Sequence, residues 1–153
     1  MTDNMKPVFA ITVDDGSRRV PILNTDGEEI GAFRFRPTDL GIVTRFNRLA
    51  DQLDAITEPL DALELDENGE ADITDPKLVE ALAEANRRLY AAVNALFDSE
   101  DAARAFFGRM DPFSPVGGDL YMTQVLQKVG AFISAQFNAE TKALSKKAKK
   151  YLK

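Results

Sequence analysis

Apolar residues recur along this chain with two different periods, and the change between them divides it. From residue 8 to residue 36 they come in short strand-like runs, with the alternation of a strand that has one buried face over Ile30 to Arg36. Val8-Phe9-Ala10-Ile11-Thr12-Val13 ends at Asp14-Asp15-Gly16, Val20-Pro21-Ile22-Leu23 ends near Asp26-Gly27, and Ile30 to Arg36 follows. Strand runs punctuated by such turn residues predict a three-stranded antiparallel meander. Pro21 lacks a ladder donor, so its strand is expected at an edge or at a bulge. Phe33 and Phe35 share the face expected to be buried, with Arg34 and Arg36 on the other.

After Pro37-Thr38-Asp39, with Thr38 the expected N-cap, the spacing becomes three and four. Leu40, Val43, Phe46, Leu49, Ala50, Leu53 and Ile56 form the stripe of a first helix, and Pro59 marks its stop or kink. Residues 60–75 read as an acidic loop. Thr74 or Asp75, then Pro76, open a second helix with the stripe Leu78, Leu82, Ala85, Leu89, Val93 and Leu96. Ala102, Ala103, Phe106 and Phe107 supply a short third helix ended by Gly108, and residues 111–118 form a Pro- and Gly-rich loop. Asp119 is expected to cap a last helix carrying Leu120, Met122, Val125, Leu126, Val129, Phe132, Ile133 and Phe137. Unbroken from 119 to 150, it would measure about 48 Å. A compact domain of this size has a radius of gyration of about 15 Å, so the helix should overhang the body or fray at its end. The fold expected is α+β, one domain over 1–153: a meander over 8–36, a helical body over 38–137 and a Lys-rich helix end over 138–153.

Composition narrows the chemistry. The 153 residues contain no His and no Cys. The commonest general base, thiolate nucleophiles and His- or Cys-ligated metal sites are therefore absent, and the chain is expected to bind rather than catalyse, with no cofactor. Lack of Cys fits a reducing compartment. Met1 to Pro7 has no apolar signal core, and no apolar run approaches a membrane span.

Charge is split along the chain. Residues 142–153 hold six Lys and no acid, while the other 141 residues hold 13 basic and 25 acidic side chains, a net of −12. Ten of those acids, and no base, fall in residues 51–75. Within that acidic stretch, Glu64, Asp66, Asn68, Asp72 and Asp75, with Gly69 at the turn, echo a calcium loop. Glu64 is long for the first ligand position, Asp75 short for the last, and no second loop exists to pair with it. A solvated acidic linker explains the same residues. The Lys-rich end suits an anionic partner, but an acidic body and few aromatics argue against nucleic acid, and cations at a helix C-terminus need no ligand. A further reading docks that end on the 51–75 segment of a neighbouring copy, giving a homo-oligomer.

The order of parts resembles the small tail-assembly chaperones of long-tailed, siphovirus-like phages and prophages. The residues that carry the resemblance are Gly31 to Asp39, Ala95 to Gly108 with its Phe106-Phe107-Gly108, the loop Pro112 to Gly118, and Leu120 to Lys153. The resemblance implies a protein of the bacterial host's cytoplasm that coats the tape-measure protein and recruits tail-tube subunits through helical apolar surface. The last helix is the expected binding surface, with Val125, Val129, Phe132, Ile133 and Phe137 as apolar contacts and Lys146, Lys147 and Lys150 beside them. A structural tail or head–tail connector subunit is the alternative reading, and a calcium- or nucleic-acid-binding regulator the second.

Overall fold

A computed structural model describes residues 9–61 and 72–151, with side chains described as far as Leu144. Strand β1 (Arg18–Leu23) and strand β2 (Glu29–Phe35) form an antiparallel hairpin. Asn24 ties the turn: its side-chain oxygen accepts the amides of Asp26 and Glu28, both at 2.9 Å. Gly27 supplies the left-handed residue there, at φ 82°. The register pairs Val20 with Phe33 and Ile22 with Gly31, placing all four on the face that Phe35 shares. Pro21 lies on a strand with one unpaired edge, and a register shift follows at Ile22/Leu23. Both features match what a proline in a strand requires.

The expected third strand does not form, so the class is α+β but the meander is a hairpin. Residues 9–13 have no regular structure, and Val8 lies outside the described residues. Alternation decides which residues share a face; a ladder also needs an accessible strand edge. Here the approach to β1 is held elsewhere. Asp14 and Asp15 accept the amides of Gly16 and Ser17 in successive tight turns, both at 2.9 Å. Asp14 also pairs with Arg18 at 3.0 Å, Asp15 lies 3.8 Å from Arg36, and Arg34 donates to the Ser17 carbonyl at 3.3 Å.

Helix α1 (Gly41–Asp61) starts later than its sequence suggests, and Asp39 rather than Thr38 receives its first amide, that of Gly41, at 2.9 Å. Ile42, Leu49 and Ile56 form its buried line, while Leu40 and Val43 of the expected stripe are exposed. The helix runs through Pro59 for two more residues. Helix α2 (Pro76–Phe97) begins as expected: the Asp75 side chain accepts the Lys77 amide at 2.9 Å, and Pro76 fills the first turn. It ends at Asp98, whose left-handed backbone (φ 50°) lets the amide reach back to the last carbonyls.

Helices α1 and α2 lie antiparallel and are cross-tied by arginines. Arg45 donates to the Leu96 carbonyl at 2.8 Å and Arg88 to the Ala55 carbonyl at 2.6 Å. Glu84 accepts from Arg87 and from Arg88, and these bonds hold its carboxyl down at about 2. A depressed carboxylate contributes stability that is complete above its ordinary value of 4.5 and is lost as pH falls toward 2. A carbon-detected NMR titration should find the Glu84 midpoint near 2, with Arg87→Gln/Arg88→Gln moving it back toward the ordinary glutamate range. A wild-type midpoint above 4 would show that this cluster is not formed.

Helix α3 (Ala102–Phe107) packs on β2, its start steadied by the Asn94 side chain accepting the Ala103 amide at 2.8 Å. A second, minimal hairpin follows, β3 (Pro115–Val116) with β4 (Asp119–Leu120). Gly117 and Gly118 are both left-handed (φ 64° and 84°), the conformation of a tight two-residue hairpin turn. Asp119 is thus a strand residue and not the cap of the last helix, α4 (Tyr121–Tyr151). The α4 start is satisfied instead by main-chain carbonyls. Tyr121 donates to Ser114 O at 2.8 Å and Met122 to Pro112 O at 2.7 Å, so the loop itself caps the helix.

The core joins these layers through aromatic rings. Phe97, the last residue of α2, lies 5.0 Å from Phe33, 4.8 Å from Phe35 and 5.7 Å from Phe106. Phe132 of α4 reaches Phe35 at 6.3 Å.

Candidate functional site

Helix α4 is about 46 Å long at the usual rise and touches the body along one narrow line. Met122, Val125, Val129 and Ile133, spaced by three and four, are buried in the core. Phe137 is the last apolar side chain packed against it, and every described residue from Asn138 to Leu144 is exposed. The helix therefore overhangs the body, the first of the two outcomes its length allowed.

A trough opens on each side of that line. The first, about 520 Å³, lies between the β1–β2 hairpin and α4. Its floor is Phe33, Phe35, Phe97 and Phe106. Val20 and Ile22 form one wall, Val125, Val129 and Phe132 the other, and Gln124 and Lys128 stand at the rim. The second, about 420 Å³, lies between α1 and α4 and is almost wholly apolar. Phe46, Leu49 and Leu53 face Met122, Leu126 and Gly130 across it. A Cβ added at Gly130 would lie 3.5 Å from the Phe46 ring, so the missing side chain permits ordinary contact there but no more.

At the hairpin end, hydrogen bonds from Arg18 and from the Gly16 amide bring the Asp14 carboxyl down to about 2. Glu140 of α4 adds to the acidic surroundings of Arg18. No buried side-chain nitrogen or oxygen lacks a partner among the described residues. The troughs offer mainly apolar contact.

The residues anticipated as binding contacts divide. Val125, Val129 and Ile133 are 7–8% exposed and hold α4 to its own body. Val125 and Val129 also line the hairpin trough, where Phe132, half-buried, is the most available of the set. Phe137 is half-buried at the end of the contact line. Lys146, Lys147 and Lys150 fall within the α4 span, but their side chains lie outside the described residues. Of the calcium-loop residues, Glu64, Asp66 and Asn68 lie outside them too. Asp72 accepts both the amide and the hydroxyl of Thr74, at 2.9 and 2.7 Å, and Asp75 caps α2, so both serve the helix start. Among the described residues no cluster of three or more metal-ligating side chains occurs, and no helix is long and apolar enough to cross a membrane.

Sequence reading missed the opposite walls. Val20 and Ile22 were legible as strand residues, and Phe46 and Leu53 as helix residues, but nothing in their spacing says that the neighbouring helix leaves them half covered. Compared with known proteins, the chain matches no family model, no curated protein and no solved structure.

Proposed function

We propose that this chain is a binding protein without catalytic activity, and that it acts as a tail-assembly chaperone. It holds a helical apolar segment of a tape-measure protein in the trough between α1 and α4 and recruits tail-tube subunits to it. The observation that carries this reading is the trough itself. An apolar channel walled by Phe46 and Leu53 on one helix and Leu126 on another suits a third amphipathic helix. A chain without His or Cys supports binding over catalysis. The overhanging, Lys-rich end of α4 extends the surface beyond the body and complements acidic partners.

Co-expression with a tape-measure protein should raise that protein's soluble fraction and co-purify the two chains. Leu53→Glu/Leu126→Glu should abolish both effects while leaving the fold intact by circular dichroism, since both residues are only half-buried. Insolubility of the tape-measure protein despite co-expression would refute the reading. So would stoichiometric recovery of this chain in purified virions, which would favour a structural tail or connector subunit.

A further inference from the structure

The N-terminal segment and the hairpin trough are two exposed surfaces with matching chemistry. Phe9, Ile11 and Val13 are 96%, 94% and 74% exposed. They are spaced by two, so in an extended chain they point to one side. Leaving three such side chains in water forgoes most of the free energy their burial offers. Strand β1 pairs with β2 along one edge, and no described strand lies along its other. Val20 and Ile22, on the inner face of β1, overlook the trough in front of Val125, Val129 and Phe132. An unpaired strand edge beside an apolar channel is the arrangement that accepts an added strand.

The chain's own segment is steered away from that position. Arg34 stands on the outer face of β2, opposite Phe33 and Phe35, and donates to the Ser17 carbonyl at 3.3 Å, while Arg36, just past the strand, pairs with Asp98 at 2.9 Å and lies 3.8 Å from Asp15. Asp14 is in turn paired with Arg18, so residues 14–17 are held in successive tight turns, and the chain's own residues 9–13 form no ladder with β1. We propose that Phe9–Val13 of one copy adds to β1 of a second copy as its third strand, seating Phe9, Ile11 and Val13 in the trough between hairpin and α4. Pro21 contributes no amide, and the ladder is irregular at Ile22/Leu23, so side-chain burial supplies most of the affinity. The exchange uses the hairpin trough alone and does not depend on the tail-assembly reading, which uses the α1–α4 trough.

Sedimentation velocity on the full chain should give at least twice the 16.9 kDa monomer mass. Ile11→Asp should return the monomer mass with an unchanged circular dichroism spectrum, and with the Tm of wild-type chain diluted to its monomer, because Ile11 buries almost nothing against its own chain. The absence of natural cysteine permits a direct test of geometry. Thr12→Cys protein mixed with a size-tagged Leu23→Cys protein should give a mixed adduct with a short bis-maleimide, and Ile11→Asp in the first chain should remove it. A wild-type chain monomeric at every concentration would overturn the proposal, as would an assembly that survives Ile11→Asp. A monomer in which Ile11→Asp lowers Tm would also overturn it, placing the strand on its own β1.

Discussion

Replacing Phe97 with alanine is expected to destabilise the protein by about 3–5 kcal/mol, the usual loss for a buried aromatic. Phe97 is 3% exposed and sits where α2, the hairpin and α3 meet, its ring against Phe33, Phe35 and Phe106. Its removal takes away edge-to-face contacts with two strand residues and one from a third element. The space cannot close by a small shift, because α2 ends there and the Arg45 bond to the Leu96 carbonyl pins that end to α1. The vacated volume would join the hairpin trough and admit water against apolar walls. A domain of this kind is stable by about 5–15 kcal/mol, so the urea midpoint should fall by about a fifth or more at unchanged m-value. A loss below about 1 kcal/mol, within the range of an ordinary surface substitution, would mean that the aromatic cluster does not hold the hairpin to α2.

Gly31→Ala should cost about 1–3 kcal/mol or more, the range for overpacking a tight core. A Cβ there would lie 2.2 Å from the Ala105 carbonyl oxygen and 2.9 Å from its carbon. Both obstacles are main-chain atoms of α3, which the Asn94–Ala103 bond holds in place. To relieve the clash β2 must lift, and it carries Phe33 and Phe35 with it. Gly31 is not left-handed, so an alanine would otherwise gain about 0.4–1 kcal/mol by restricting the unfolded chain; the clash reverses that sign. At about 2–4 °C per kcal/mol for a chain of this length, a calorimetric Tm should drop by several degrees. Ala105→Gly should not rescue the variant, because the obstruction is backbone. An unchanged Tm for Gly31→Ala would show that β2 and α3 are not in close contact.

The sites of these two effects were legible to different degrees. Phe33 and Phe35 announce a buried face by their spacing, and the structure buries it. Nothing marks Gly31 as a contact point, since a glycine beside a strand reads equally well as a bulge or a turn. The α2 start at Thr74-Asp75-Pro76 was readable because an N-cap and a first-turn proline are local signals. The start of α4 was misread at Asp119. Two consecutive left-handed glycines make residues 115–120 a hairpin, and main-chain carbonyls of that loop, not a side chain, receive the first amides of the helix. The buried line of α1 is rotated toward Ile42 from the stripe expected through Leu40 and Val43. Periodicity shows that a face exists, but the neighbour it meets chooses its centre.

The sequence by itself determined the mixed α+β class, the turn-joined segments that became β1 and β2, the four helices and the lack of His and Cys chemistry. Each follows from local backbone preference, composition or simple length. Only the tertiary structure decided what those elements do to one another. Val125, Val129 and Ile133 face inward and are spent on holding α4, because a helix docked along a single line must use its most apolar residues there. The half-covered surfaces lie to either side, on Val20, Ile22, Phe46 and Leu53, because the spacing of α4 from its neighbours covers those side chains only in part. The 9–13 segment stays unpaired where the link that leads to it is fixed in tight turns by Arg18, Arg34 and Arg36. These are distances between residues remote in sequence, and no local period encodes them.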